Sequence, residues 1–282
     1  MKFCLKILIN TLKFSLFNII LSNSIFAQPI LINANRDYYP ATYMKDKEWY
    51  GMDIDIINEI FLRAKLDFKI VEIPFKRSLY WMQSGKTHMM PNLCKNEERS
   101  AYMYWLGPMR ITAIGLVVLK KDQYLPIKAC DDLIIVSKQR NRKFGYLNGA
   151  SYSDYFDNRI EKDPAIKNVL HFTSSPKQSI AMLQKGRIIG FFQDDFEIQH
   201  LLLEQSQNHD SLYNDVVLHS YRIEDSIGGA YFGISKKLDK ILYQKILTAF
   251  QSIKEDGAFD KIHFKWTGKK LALGSDQDNN LK

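Results

Sequence analysis

Hydrophobic positions recur along the chain with two different spacings, and together these outline an alternation of strands and helices. Ile30–Asn35 is a short apolar run ending in polar residues, which predicts a strand running into a loop. Ile54, Ile57, Phe61 and Ala64 fall on one helical face, with Gly51 before them and Asp53 placed to cap the helix. Phe68–Ile73 alternates as a strand does. Ser78–Ser84 predicts a short helix closed by Gly85, and Thr87–Leu93 the next strand. Strand followed by helix, repeated, is the pattern of a parallel sheet covered by helices. Ile111–Leu119 is a longer apolar run, expected as one buried strand, and Lys120–Lys128, with Pro126, suits a crossing between two halves.

A second series follows. Lys143–Leu147 predicts a strand, Asn148-Gly149 a turn, and Tyr152–Ile160 a helix. Ser179–Leu183 ends a helix before Gly186, and Ile188–Gln193 is a strand reaching Asp194-Asp195. Tyr231–Ser235 is a further strand. Leu238, Leu242, Ile246, Ala249, Phe250 and Ile253 share the face of a last helix, with Gly257 as its terminator. Residues 269–282 lack apolar periodicity and read as a frayed tail.

The first 27 residues fit neither rhythm. Lys2, Lys6 and Lys13 precede an apolar stretch, Phe14–Leu21, then Ser22-Asn23-Ser24 and a small residue at Ala27. A basic flank, a short apolar region and a small residue predict a secretory signal peptide over 1–27, with a membrane anchor as the alternative. No Cys stands at the junction, which argues against lipoprotein processing. Part of the excess of 39 Lys and Arg over 31 Asp and Glu is therefore targeting signal. The remaining cations are interspersed with acids, unlike a nucleic-acid-binding stripe. At 282 residues and 46% hydrophobic, the chain suits one large or two medium globular domains. Three cysteines exclude a disulfide scaffold. After cleavage Cys94 and Cys130 remain, either bridged in an oxidising compartment or as two free thiols.

Several short motifs, weak singly, are informative in their order. Tyr38-Tyr39-Pro40, Gly51-Met52-Asp53-Ile54-Asp55, Pro74-Phe75-Lys76-Arg77, Met82-Gln83-Ser84-Gly85-Lys86, Asn96-Glu97-Glu98-Arg99 and Trp105-Leu106-Gly107-Pro108 come first. Leu183-Gln184-Lys185-Gly186-Arg187 with Asp194, Phe232-Gly233-Ile234-Ser235-Lys236-Lys237, Lys254-Glu255-Asp256-Gly257 and Lys265-Trp266 follow. This succession, over roughly residues 29–268, resembles the bacterial family 3 extracellular solute-binding proteins of the polar amino acid type. The resemblance implies an α/β, two-lobed type 2 periplasmic-binding-protein-like fold with two hinge crossings and a ligand between the lobes. Lobe 1 is then expected at 28–115 and 230–268 and lobe 2 at 116–229, with Ile111–Leu119 and Gly228–Gly233 as crossings. It also implies a periplasmic, monomeric protein that passes a small polar, amino-acid-like ligand to an ABC permease, with no cofactor, metal or nucleic acid.

Carried over residue by residue, the resemblance puts Arg99 on the ligand's carboxylate, a planar fork that Lys cannot reproduce. Asp194, or its neighbour Asp195, takes the ammonium from the other lobe. Tyr38 lies over the ligand, Phe75 beside it, Asn35 on the same loop as Tyr38, and Arg77 is a second cation near the cleft. Cys94 stands where amino-acid binders carry a hydroxyl, and a thiol is the poorer donor. Leu147 and Ala150 replace polar positions and Thr87 an Asp. These departures widen the ligand to a modified amino acid, a small peptide or another polar metabolite. A sensory binding protein is the alternative, and an enzyme on the same fold a more distant one. For an enzyme, Glu224 and Asp225 are the only acids that suggest themselves. The six His are scattered without metal-ligand spacing, and no nucleophile elbow or phosphate-binding motif appears.

Overall fold

The computed structural model describes residues 28–35, 37–208, 215–226 and 228–268; the expected signal peptide over 1–27 and the tail over 269–282 lie outside them. Two mixed sheets dominate. In the first, β1 (Ile30–Asn33) runs parallel to β5 (Phe68–Val71) and β6 (Met89–Cys94). β13 (Gly228–Ser235) then inserts antiparallel between β6 and β7 (Met103–Thr112), giving the order β5-β1-β6-β13-β7. In the second, β9 (Lys143–Leu147) is parallel to β10 (Leu170–Thr173) and to β11 (Ile188–Asp194). β8 (Ile114–Leu119) runs antiparallel to both β11 and β12 (Val216–Arg222), and the order is β10-β9-β11-β8-β12. The last strand to be added to the first sheet is therefore also the last in sequence, so the chain leaves that sheet once and returns once.

The apolar faces anticipated from periodicity build the first core. Helix α1 (Met52–Ala64) buries Met52, Ile54, Ile56, Ile57, Ile60, Phe61 and Ala64. Helix α9 (Lys240–Glu255) contributes Ile246, Ala249, Phe250 and Ile253 to the same cluster. Gly257 is left-handed, as a helix terminator should be, but a further helix, α10 (Ala258–Thr267), follows and carries Phe259 into this core. The second sheet packs Phe144, Phe192 and Leu116 against Leu133 of α4 (Cys130–Arg140) and Phe156 of α5 (Asp154–Lys162). Every residue of β11 is buried, consistent with a strand covered on both faces.

Four expectations need correction. Gly228–Gly233 is not a crossing: it is the first part of β13, paired along its length with β7 inside the first sheet. Ile111–Leu119 is not one strand: β7 ends at Thr112 and β8 begins at Ile114, so the first passage between sheets lies at Ala113. Apolar composition continues through the break because both strands are buried, which hides it from the sequence. Lys120–Lys128 does not cross between halves. It leads from β8 to α4, both belonging to the second sheet's half. Asp53 does not cap α1. Gly51 holds that position, and Asp53 is fully buried one residue inside the helix. The three-stranded meander of β2 (Asp37–Tyr38), β3 (Thr42–Lys45) and β4 (Glu48–Tyr50) was not anticipated either. It brings Tyr38 to the edge of the cleft.

Gly51 has φ of 131°, and a Cβ there would come within 2.2 Å of the Ala41 carbonyl oxygen. Gly51→Ala therefore combines a backbone conformation reserved for glycine with a backbone overlap, and should destabilise by at least about 2 kcal/mol. Urea denaturation of the two proteins measures this.

Candidate functional site

Between the two sheets lies a cavity of about 50 Å³ whose wall includes Tyr38, Phe75, Cys94, Arg99, Asp194 and Glu197. Wider recesses of about 470 and 440 Å³ open on either side of the contacts that close it. Five of the seven residues proposed from the sequence thus line one cavity. Asn35 lies behind Tyr38 in an adjoining crevice with Asn92. Arg77 is exposed on α2 (Phe75–Ser84) and lines none of these spaces.

Arg99 is placed by its short helix, α3 (Glu97–Ser100). The Asn96 side chain accepts the Arg99 backbone N–H at 2.9 Å, capping the helix, while its amide donates to Ser151 Oγ in the other half. The guanidinium is almost fully buried and its plane approaches the Phe75 ring at 5.9 Å. Nη1 donates to the Cys94 carbonyl and Nη2 to the Gly149 carbonyl, each at 3.0 Å. Gly149 has φ of 86°, and a Cβ there would press on Lys76 at 3.2 Å. The two halves meet so closely here that the turn needs glycine. Two of five guanidinium N–H bonds are thereby used.

Tyr38, Phe75, Met90 and Leu93 form a small apolar cluster that Leu147 of the second half joins. Cys94 and Cys130 are free thiols rather than a bridge. Burial pushes the Cys94 thiol up to about 11, only partly offset by Arg99, so the cavity holds a neutral SH group. Burial likewise raises Cys130, to about 12.

The opposite wall is acidic. Asp194 ends β11, and its Oδ1 receives the N–H groups of Phe196 at 2.9 Å and Glu197 at 3.4 Å, at the start of α8 (Asp195–Asn208). Thr112 Oγ1 lies 2.5 Å from the same oxygen and 2.8 Å from Asp195 Oδ1. Asp195 also faces Arg222 at 3.7 Å and lines no part of the cavity.

Beneath Asp194 is a residue that the sequence reading missed. Arg110, on β7, is fully buried and faces Asp53 and Asp194 at 3.4 Å and Glu197 at 3.5 Å. It donates to Asn92 Oδ1 and stacks on Phe196 at 5.2 Å. Burial works against the Arg110 charge, but the three carboxylates outweigh it and hold the guanidinium above its ordinary value. Burial raises Asp53 to about 6 despite Arg110, and raises Glu197 well above the usual carboxylate range. A lone Arg between Met109 and Ile111 in an apolar stretch was the available signal, since a buried charge must be paired. Glu224 accepts the Cys130 N–H and the Tyr221 hydroxyl, and so braces the second half. Among the described residues no cluster of His, Cys, Asp and Glu fits a metal ion, and no helix is long and apolar enough to cross a membrane.

Two mixed sheets joined by two passages, with a charged and aromatic cavity between them, define the architecture of a bilobal solute-binding protein. The comparisons are specific. Residues 30–269 match the family of bacterial extracellular solute-binding proteins, family 3, and the chain belongs to that family. It is similar to an arginine-binding periplasmic protein of Mannheimia haemolytica, 24% identical over 86% of this chain and 93% of that one. The ABC transporter arginine-binding protein 1 of Escherichia coli (strain K12) is 23% identical over 78% and 83%. The arginine-, lysine-, histidine-binding protein of Geobacillus stearothermophilus shares the fold, with a TM-score of 0.70, 16% identity, and coverage of 87% of this chain and 98% of that one.

Replacing Arg110 with Leu leaves three buried carboxylates without their cation, and should cost about 3–5 kcal/mol near neutral pH. Asp53 and Glu197 then hold protons more tightly folded than unfolded, so their contribution is favourable in acid and lost as pH rises through their folded values. With Asp53 already at about 6 in the native protein, the deficit of Arg110→Leu should be smaller at pH 5 than at pH 8. Urea titrations at both values test this.

Proposed function

We propose that this protein is the extracytoplasmic receptor of an ABC importer, capturing a small amino-acid-like ligand and presenting it to a membrane permease as a monomer. Residues 1–27 are its cleaved export signal, and the mature protein works in the periplasm. One lobe holds the first sheet and the other the second, with the boundaries at Ala113 and ahead of Gly228 instead of after residues 115 and 229, because Ile114 and Gly115 pair within the second sheet and Gly228 and Gly229 within the first. One observation carries the assignment: Arg99 from one half and an acidic wall from the other line the same cavity, with Tyr38 and Phe75 beside them.

In this reading Arg99 binds the ligand's carboxylate through its remaining N–H donors. The ligand's cationic group turns to the wall formed by Asp194 and Glu197. Each end pairs with a different half, so closure gains contacts that the open state lacks. Family membership and two relatives named for arginine binding make basic amino acids the first candidates. Arg77, exposed and away from the cavity, is assigned no contact with the ligand. Asn35 acts from behind, its carbonyl accepting from Thr42 Oγ1 at 2.6 Å in the loop that carries Tyr38.

Thermal shift against the common amino acids tests the proposal. A ligand present at 100 times its dissociation constant should stabilise the protein by about 2.7 kcal/mol. Arg99→Ala should weaken binding by about 2–5 kcal/mol and cut the stabilisation at the same ligand concentration to about 1 kcal/mol or less; Arg99→Lys, which keeps charge but loses the fork, should recover only part of it. An undiminished response in both variants refutes the role. Cys94→Ser, which supplies a stronger donor beside Arg99, should tighten binding of the same ligand, measured by calorimetry.

A further inference from the structure

The acid most obviously placed to meet a cationic ligand group has no room left for it. Asp194 Oδ1 already faces three donors, the Phe196 and Glu197 N–H groups and the Thr112 hydroxyl, and its Oδ2 faces Arg110. A carboxylate accepts about four hydrogen bonds in all. Its charge, moreover, is already shared with a guanidinium of the protein itself.

Glu197 differs on each point. It lies on the first turn of α8, is 1% exposed, and forms part of the cavity wall. Its Oε1 accepts from Asn92 Nδ2 at 2.9 Å and its Oε2 from Gln193 Nε2, so two of its acceptor positions remain. Arg110, at 3.5 Å, is its nearest cation, but that one guanidinium also serves Asp53 and Asp194. One cation among three carboxylates leaves the wall short of positive charge.

We propose that Glu197 is the residue that receives the ligand's cationic group, while Asp194 anchors Arg110 and the start of α8. This inference rests on the reading of the protein as a receptor for a ligand with a carboxylate at Arg99, and names the second half of that site. It selects ligands bearing an ammonium or guanidinium group and couples their capture to a proton. The groups facing Glu197 are Arg110 from β7, Asp53 from α1, Asp194 from β11, Tyr152 ahead of α5 and, across the cavity, Arg99 and Cys94. His200 lies one turn further along α8, its Nδ1 against the Phe196 carbonyl. Burial and Asp194 favour the protonated form of Glu197 in the empty cavity, against the pull of Arg110. An arriving cation supplies the missing charge, favours the carboxylate form, and expels that proton to solvent.

The test is calorimetry of L-arginine, L-lysine and L-histidine with the full chain, from about pH 5.5 to about pH 8 in buffers of differing ionisation enthalpy. Affinity for arginine and lysine should climb with pH, by at most about tenfold per unit, with a proton released on binding. Glu197→Gln should lose the proton release that Glu197 supplies and bind with a flatter pH profile. It should come nearest the native affinity at the acid end, where protonation of the native Glu197 is most favoured. Asp194→Asn should still release a proton, over a range moved to lower pH because one of the charges favouring protonated Glu197 is gone; if it does not fold, the native protein and Glu197→Gln decide the matter alone. Asp53 also titrates near 6, and any contribution it makes survives in Glu197→Gln. An unchanged pH profile and proton count in Glu197→Gln overturn the proposal, as does binding without pH dependence in the native protein. Arginine binding that depends on Arg99 but not Glu197 removes this inference alone. If none of the three probes binds, or binding ignores Arg99, the receptor reading falls with it.

Discussion

Transferring an ion from water to a protein interior costs several kcal/mol, and a buried pair recovers that only when its partners are well placed. Arg110 meets this condition with three carboxylates, an amide oxygen and an aromatic face. Its partners come from α1 and β6 on one side and from β11 and α8 on the other, so the constraint spans both halves. Much of the site follows from it. Asp53 is drawn into the first turn of α1 instead of capping it, Asp194 is fixed at the end of its strand, and Glu197 is left with more negative charge around it than one guanidinium neutralises.

The rest of the cleft is arranged around that fixed floor. Arg99 approaches from the other side on a helix capped by Asn96, and both residues touch the second half through Gly149 and Ser151. Tyr38 and Phe75 line the space between with apolar surface, and Leu147 completes their cluster from across the cleft. A guanidinium and an acidic wall in a buried, low-dielectric cavity act on each other and on any ligand between them far more strongly than they could in water.

The frame of the molecule was legible because its helices and strands bury faces with periods that sequence preserves. The α1 and α9 faces and the strands around Leu147 and Gln193 fell close to where the alternation put them. The meander over 37–50 escaped because strands of two to four residues carry too few positions for a period to register. The break at Ala113 escaped because both flanking strands are apolar. Tyr38, Phe75, Cys94, Arg99 and Asp194 came to one cavity through motif resemblance, not periodicity. Arg110 and Glu197 are 87 positions apart in sequence and meet only through the folding of two halves. No local pattern marks either as part of a site, apart from the oddity of a charge inside an apolar run.

The position of Arg110 along the chain has one more implication. It lies two residues before Thr112, where β7 ends, and Asp194 is in register with Ile114, where β8 begins. The ionic cluster therefore lies beside the passage between the sheets, about which a swing of the halves would displace least, whereas the turn at Gly149 lies away from that passage. Opening can then part the rim while leaving the charged bearing assembled, so that each cycle of uptake and release starts from an electrostatic floor already in place.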